Sequence, residues 1–155
     1  MKWNRLILEL SVLLMVVLDQ AVKLWAREYL LPVGSMPIID GLIGFRWATN
    51  TGAAFGMMQG GRWFFVVLTV VVLLIILYYE FKMPYTKQSL LIRIPFTLII
   101  AGTIGNFIDR LLNGYVVDMF RFLFINFPIF NVADVLLVTG AFLYAFISLF
   151  IIKNG

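Results

Sequence analysis

Between Trp63 and Tyr79, and again between Val135 and Ile152, the chain runs without one charged residue. At ~1.5 Å rise per residue, either run taken as a helix covers most of a ~30 Å hydrocarbon core. The solvent for such segments is lipid. Composition agrees, since 63% of the 155 residues are hydrophobic where a soluble domain has about half. A chain of this length, with most of its residues needed to cross a bilayer, holds one integral membrane domain over residues 1–155 and little besides.

Two further apolar segments, Leu6 to Trp25 and Leu90 to Leu112, are interrupted by polar residues: Glu9, Asp19 and Lys23 in the first, Arg93, Asn106, Asp109 and Arg110 in the second. An ionisable residue at membrane depth costs roughly 2.5–3.5 kcal/mol, so these side chains belong in a bundle interior or at an interface. The first segment follows Lys2 and Arg5 as a secretory leader would, but it ends in Asp19-Gln20 and not in a small-residue cleavage site, which marks a retained helix. The expected fold is an all-α membrane protein with four transmembrane helices, near 6–25, 63–79, 90–112 and 132–152. Between the first two helices, Pro32, Gly34, Pro37, Gly41, Gly44 and Gly52 punctuate short runs such as Phe45-Arg46-Trp47-Ala48 that alternate along a strand. That connection, 26–62, is expected to carry a small β element on the membrane surface. Glu80 to Ser89, with Pro84, is expected to be a plain turn.

Four helices put both tails on one side and the connections 26–62 and 113–131 on the other. Lys and Arg are evenly divided between the two sides. Lys2 and Arg5, however, flank the first helix, which usually dominates orientation, so the tails are expected inside and the two connections outside. The basic residues, giving a net charge of +4, sit near segment ends as interface anchors and form no nucleic-acid footprint.

The chain has no His and no Cys. A Ser-His-Asp triad, a Cys-His nucleophile, a histidine-ligated zinc and a disulfide are therefore excluded. What remains is carboxylate, hydroxyl, amine or backbone chemistry. In the expected topology the polar residues gather at one end: Asp19, Gln20 and Lys23; Asn50 and Thr51; Asn106, Asp109 and Arg110; Asp118; Asn131 and Asp134. Each cluster has a purely structural explanation. Asp19 and Lys23 stand four apart, acid first, as an ion pair along one helix face. Gly102, Asn106 and Arg110, flanked by Gly105 and Asp109, suit close helix packing with polar contacts. Asn131 and Asp134 fit a capping box. Capping does not account for Asp118, set among Val116, Val117, Met119 and Phe120. Two carboxylates at one wet interface can share a proton, one acting as base on water and the other as acid. The dipole at the start of the fourth helix favours an ionised Asp134 and points to it as the base.

Five strings then carry a resemblance: Asp19-Gln20-Ala21-Val22-Lys23, Asn50-Thr51-Gly52-Ala53-Ala54-Phe55-Gly56, Gly105-Asn106-Phe107-Ile108-Asp109-Arg110, Gly114-Tyr115-Val116-Val117-Asp118 and Phe130-Asn131-Val132-Ala133-Asp134. In order and spacing the chain resembles the bacterial lipoprotein signal peptidases (signal peptidase II) over nearly its whole length. The resemblance implies an aspartyl endopeptidase of the bacterial cytoplasmic membrane, termini inside and active site at the outer face. Such an enzyme cleaves prolipoproteins before a diacylglyceryl-modified cysteine and needs no cofactor, metal or oligomer. It implies Asp118 and Asp134 as catalytic, Asn50, Gly52, Asn106, Arg110 and Asn131 as substrate-binding, and Asp19, Lys23 and Asp109 as support. Phe45, Trp47 and Phe55 would cradle the substrate. Val135 and Met119 depart from the family pattern beside the two acids. Two other classes compete: a membrane lipid phosphotransferase holding Mg²⁺ on Asp109, Asp118 and Asp134, and a non-enzymatic helix bundle.

Overall fold

The computed structural model describes residues 2–52, 58–84 and 86–152. Helix α1 (Lys2–Trp25) passes without a break into a π-helical turn, Ala26–Leu30, and a last short turn, α2 (Leu31–Val33). The helical course thus outruns the expected end at Trp25. Pro32, which reads as a breaker, lies in α2 just after the π-helical turn, at the end of the helical course. Helix α3 is Arg62–Lys82, α4 is Lys87–Asn113 and α5 is Val132–Phe146, prolonged by a π-helical segment, Ile147–Ile152.

Among the described residues three helices are long and apolar enough to cross a membrane: Arg62–Lys82, Gln88–Asn113 and Val132–Ile151. Their outward faces carry large apolar side chains such as Val67, Leu74, Phe142 and Phe150, as a lipid solvent requires. The turn at Pro84 is closed by a buried cation. Arg93 donates to the Glu80 carboxylate and to the carbonyls of Glu80 and, at 2.6 Å, Met83.

The chain is mostly helical, but the β element is larger than expected. Strands β1 (Ser35–Ile39) and β2 (Ile43–Asn50), a hairpin, supply the small β element expected from the 45–48 alternation, and β3 (Val116–Phe122) adds a third antiparallel strand in the order β1-β2-β3. β3 comes from the 113–131 connection, where no strand is expected. Its first four residues are all buried, so the run lacks the period-two alternation of a half-exposed strand. The sheet packs on the extended end of α1, with Ala26, Leu30, Val117 and Met119 at the centre and Trp25, Phe45, Trp47 and Phe120 around them. Helices α4 and α5 are in close contact. A Cβ added at Gly102 would lie 2.3 Å from the Ala133 carbonyl oxygen, and one at Gly105 would lie 2.6 Å from Asp19 Oδ2. Only glycine admits this approach, which brings α1, α4 and the start of α5 together.

Candidate active site

Helix α5 begins where three elements meet, and its free N–H groups explain why. Asn131 is the N-cap: its side chain accepts the Asp134 N–H at 2.9 Å, while Asp134 Oδ2 accepts the Asn131 N–H at 3.1 Å. The expected capping box is therefore present. The next free donor, Ala133 N–H, is taken in trans by Asp19 Oδ1 of α1 at 2.9 Å. Asp134 keeps its other oxygen for Asn106 Nδ2, which donates to Oδ1 at 2.8 Å.

Asp118 reaches the same place from β3. The strand is pinned by Asp109, whose Oδ2 accepts the Val117 N–H at 3.0 Å. Asn131 Nδ2 then donates to Asp118 Oδ1 at 2.7 Å and lies 3.1 Å from Asn106 Oδ1. Asn131 thus touches both carboxylates, capping one and donating to the other. Asp118 is 4% exposed. Burial first, and the charge of Asp134 second, push its carboxyl up to about 7, against hydrogen bonds from Asn131 and Asn50 and the charge of Lys23, which favour ionisation.

Behind the two acids lies a buried ion cluster. Lys23 Nζ is 2.8 Å from Asp19 Oδ2 and 3.2 Å from Asp109 Oδ2, and donates to Asn106 Oδ1 at 3.1 Å. The i, i+4 pair that the sequence suggests is real, but it is a triad with Asp109 and lies inside the protein. Arg27 and Asn113 complete the shell of Asp109. Neither stands out as a site residue in the sequence, although each lies one helical turn from a member of the cluster. Gln20, already among the polar residues that the sequence gathers at this end, donates to the Gly105 carbonyl.

In front of the acids is a cavity of about 430 Å³ lined by Asn50, Asn106, Arg110, Asp118 and Asp134 and walled by apolar residues including Phe122, Phe130, Val135 and Val138. A second, more polar chamber of about 550 Å³, with Thr49, Thr51, Gln59 and Asn126, shares Asn50 and Asp118 with the first. Arg110 donates to the Gly52 carbonyl at 3.0 Å, and Asn50 Oδ1 accepts the Gly52 N–H at 2.9 Å, which folds the end of β2 over the cavity. The ten residues expected to be catalytic, substrate-binding or supporting converge here, whereas Phe45 and Trp47, expected to cradle the substrate, line neither cavity and pack instead against Ala26, Leu30, Val117 and Met119. Ala53, Ala54, Phe55 and Gly56 lie outside the described residues. Asp109 does not line the cavity with Asp118 and Asp134, and both its oxygens are engaged by donors. The three-carboxylate Mg²⁺ cage is accordingly not assembled, and no group of three metal-ligating side chains converges among the described residues.

Fold and site together define a multi-pass membrane protein with two carboxylates, one buried and one half-buried, facing one cavity. The family model for Signal peptidase (SPase) II matches residues 11–150. The lipoprotein signal peptidase of Caldanaerobacter subterraneus subsp. tengcongensis is 42% identical over 141 residues, 90% of this chain and 92% of its own. That of Lactiplantibacillus plantarum is 38% identical over 138 residues, 89% of each chain. A bacterial membrane enzyme solved by the in meso method at 2.3 Å resolution superposes with a TM-score of 0.82 at 32% identity, covering 92% of this chain and 86% of the other. The chain belongs to the signal peptidase II family, and it is a peptidase.

Proposed function

We propose that this peptidase removes the signal peptide of prolipoproteins by hydrolysing the bond before a diacylglyceryl-modified cysteine, with Asp118 and Asp134 as its catalytic pair. The relatives are named lipoprotein signal peptidases. The observation that carries the residue assignment is that Asn131 holds both carboxylates at the wall of one cavity. Asp134, with donors on both oxygens and at a helix N-terminus, is the base. Asp118, its carboxyl pushed up to about 7 by burial and by the charge of Asp134, is still protonated in about half of the molecules at neutral pH and is the acid. Water between them loses a proton to Asp134 as its oxygen bonds to the scissile carbonyl carbon. The C–N bond then breaks while Asp118 protonates the departing amine of the cysteine. The proton on Asp134 returns the pair to its one-proton state.

The apolar wall of the first cavity suits acyl chains and a signal helix, and the polar chamber supplies water to the shared Asp118. Asn50, Gly52, Asn106, Arg110 and Asn131 bind the substrate backbone or hold the pair. Helix α1 is the fourth span. Its 24 residues reach ~36 Å at 1.5 Å per residue, and the charges of Asp19 and Lys23 are turned inward, 0% and 1% exposed. Lys2 and Arg5 in its first turns set the termini in the cytoplasm, which puts the site at the outer face of the bacterial cytoplasmic membrane. One chain supplies every residue named, so no oligomer is required.

The test is a gel-shift cleavage assay in micelles on a diacylglyceryl-modified prolipoprotein, with EDTA present, comparing wild type and Asp118→Asn. Cleavage by the wild type alone supports the reading. Equal cleavage by a folded Asp118→Asn removes Asp118 from the chemistry.

A further inference from the structure

An asparagine can present either an N–H or a C=O to a neighbouring carboxylate, and only the N–H stabilises an ionised base. The Asn131 amide is fixed by the backbone, because its Oδ1 accepts the Asp134 N–H at 2.9 Å and its Nδ2 is thereby left for Asp118 and Asn106. Among the described residues, no backbone group fixes the Asn106 amide in this way. Its Oδ1 faces Lys23 Nζ at 3.1 Å, and an ammonium has three donors and no acceptor. With Oδ1 drawn to Lys23 and to Asn131, Nδ2 meets Asp134 Oδ1 at 2.8 Å. Lys23 is 1% exposed and lines neither cavity, so it does not meet the substrate.

We infer that Lys23 is a positioning residue for hydrolysis, whose ammonium locks the Asn106 amide so that its N–H and not its C=O meets Asp134. The inference rests on the assignment of Asp118 and Asp134 proposed above. The charges around the lock fit the same picture. Lys23 faces Asp19 on α1, Asp109 on α4, Asp118 on β3 and Asp134 on α5, while Arg27 meets Asp109 and Arg110 faces Asp118 and Asp134. Four carboxylates thus face three cations, and one proton shared by Asp118 and Asp134 makes the cluster neutral. A turned Asn106 would aim a carbonyl at Asp134, which then holds a proton of its own, and the base is lost.

The experiment separates the donor from the charge. In an Asp19→Asn background, which balances the lost cation, Lys23→Gln keeps an N–H for Asn106 Oδ1 and Lys23→Met does not. Rates on the diacylglyceryl-modified prolipoprotein are followed from pH 5 to 9 alongside wild type and Asp134→Asn. For the Met pair, kcat falls at least about tenfold with KM within about twofold, and the acid limb of kcat moves up by about one pH unit, the worth of one charge-assisted hydrogen bond. The Gln pair recovers most of the rate and the wild-type limb. Equal profiles for the two pairs, active or inactive, would overturn the inference. So would a Met pair that fails to fold where the Gln pair folds, since the lysine would then be a folding element. Activity retained in Asp134→Asn, or none in wild type, would instead strike the catalytic assignment itself.

Discussion

Two capping boxes open two helices of this protein, and the same local motif has different consequences in each. At α4, Thr86 and Ser89 satisfy each other's backbone N–H groups and end there, next to the Arg93 clamp that closes the α3–α4 turn. At α5, Asn131 and Asp134 make the same reciprocal bonds, but the third residue is an acid whose second oxygen meets Asn106 at the wall of a cavity. Buried charge does not distinguish the two ends either, since Arg93 and Lys23 are each 1% exposed. The difference is what the polar groups face. Arg93 ties the α3–α4 turn together, whereas the network of Lys23, Asn106 and Asn131 ends on two carboxylates at the wall of a cavity.

This contrast can be broken in several places. Replacing Asn131 by Ala removes the donor to Asp118 and the cap of α5 together. The cleavage rate is expected to fall by ~100-fold or more, with a further loss of about 1 kcal/mol in stability measured by thermal unfolding in micelles.

Asp118 adds a pH dependence to stability. The unfolded carboxyl releases its proton near pH 4, while the folded one holds it to about pH 7. Between these values the folded state binds more protons, so this group makes stability fall as pH rises through the window, and the loss persists above it. Asp118→Asn lacks that loss. Its melting curve should stay flatter from pH 4 to 8 and lie above wild type at pH 8 by at most about 4 kcal/mol; parallel curves would mean that Asp118 is not held protonated.

At the other end, Arg93→Met leaves Glu80 and two carbonyls of the turn without their partner. Stability drops by about 3 kcal/mol with kcat unchanged, because no cavity residue is touched. Thr86→Ala is the smallest change, about 1 kcal/mol from a lost cap and no effect on cleavage. A kinetic defect in either variant would join the two ends, which the structure keeps apart.

The sequence shows the uncharged spans plainly, because length and hydropathy decide them without tertiary help. β2 shows in the alternation at Phe45-Arg46-Trp47-Ala48. β3 does not, since a strand buried on both faces reads as any apolar run, and the helical course past Trp25 is masked by Arg27, Glu28 and Pro32. The site divides along the same line. The lack of His and Cys narrows the chemistry to carboxylates, and short-range spacing yields both the Asp19–Lys23 pair and the α5 capping box. The contacts that join these pieces span the chain: Asp19 caps Ala133, Lys23 donates to Asn106, and Asp109 holds Val117. No local pattern encodes a partner on another element, so Arg27 and Asn113 read as ordinary polar residues until Asp109 is seen between them.

The most direct measurement is prolipoprotein cleavage by Asp134→Asn. Asparagine at this position can still accept the Asn131 N–H and keep the box, while the base is gone. The account predicts a protein that melts at or above the wild-type temperature and cleaves at least ~1000-fold more slowly. A folded variant that cleaves at the wild-type rate would make Asp134 a cap like Ser89 and nothing more.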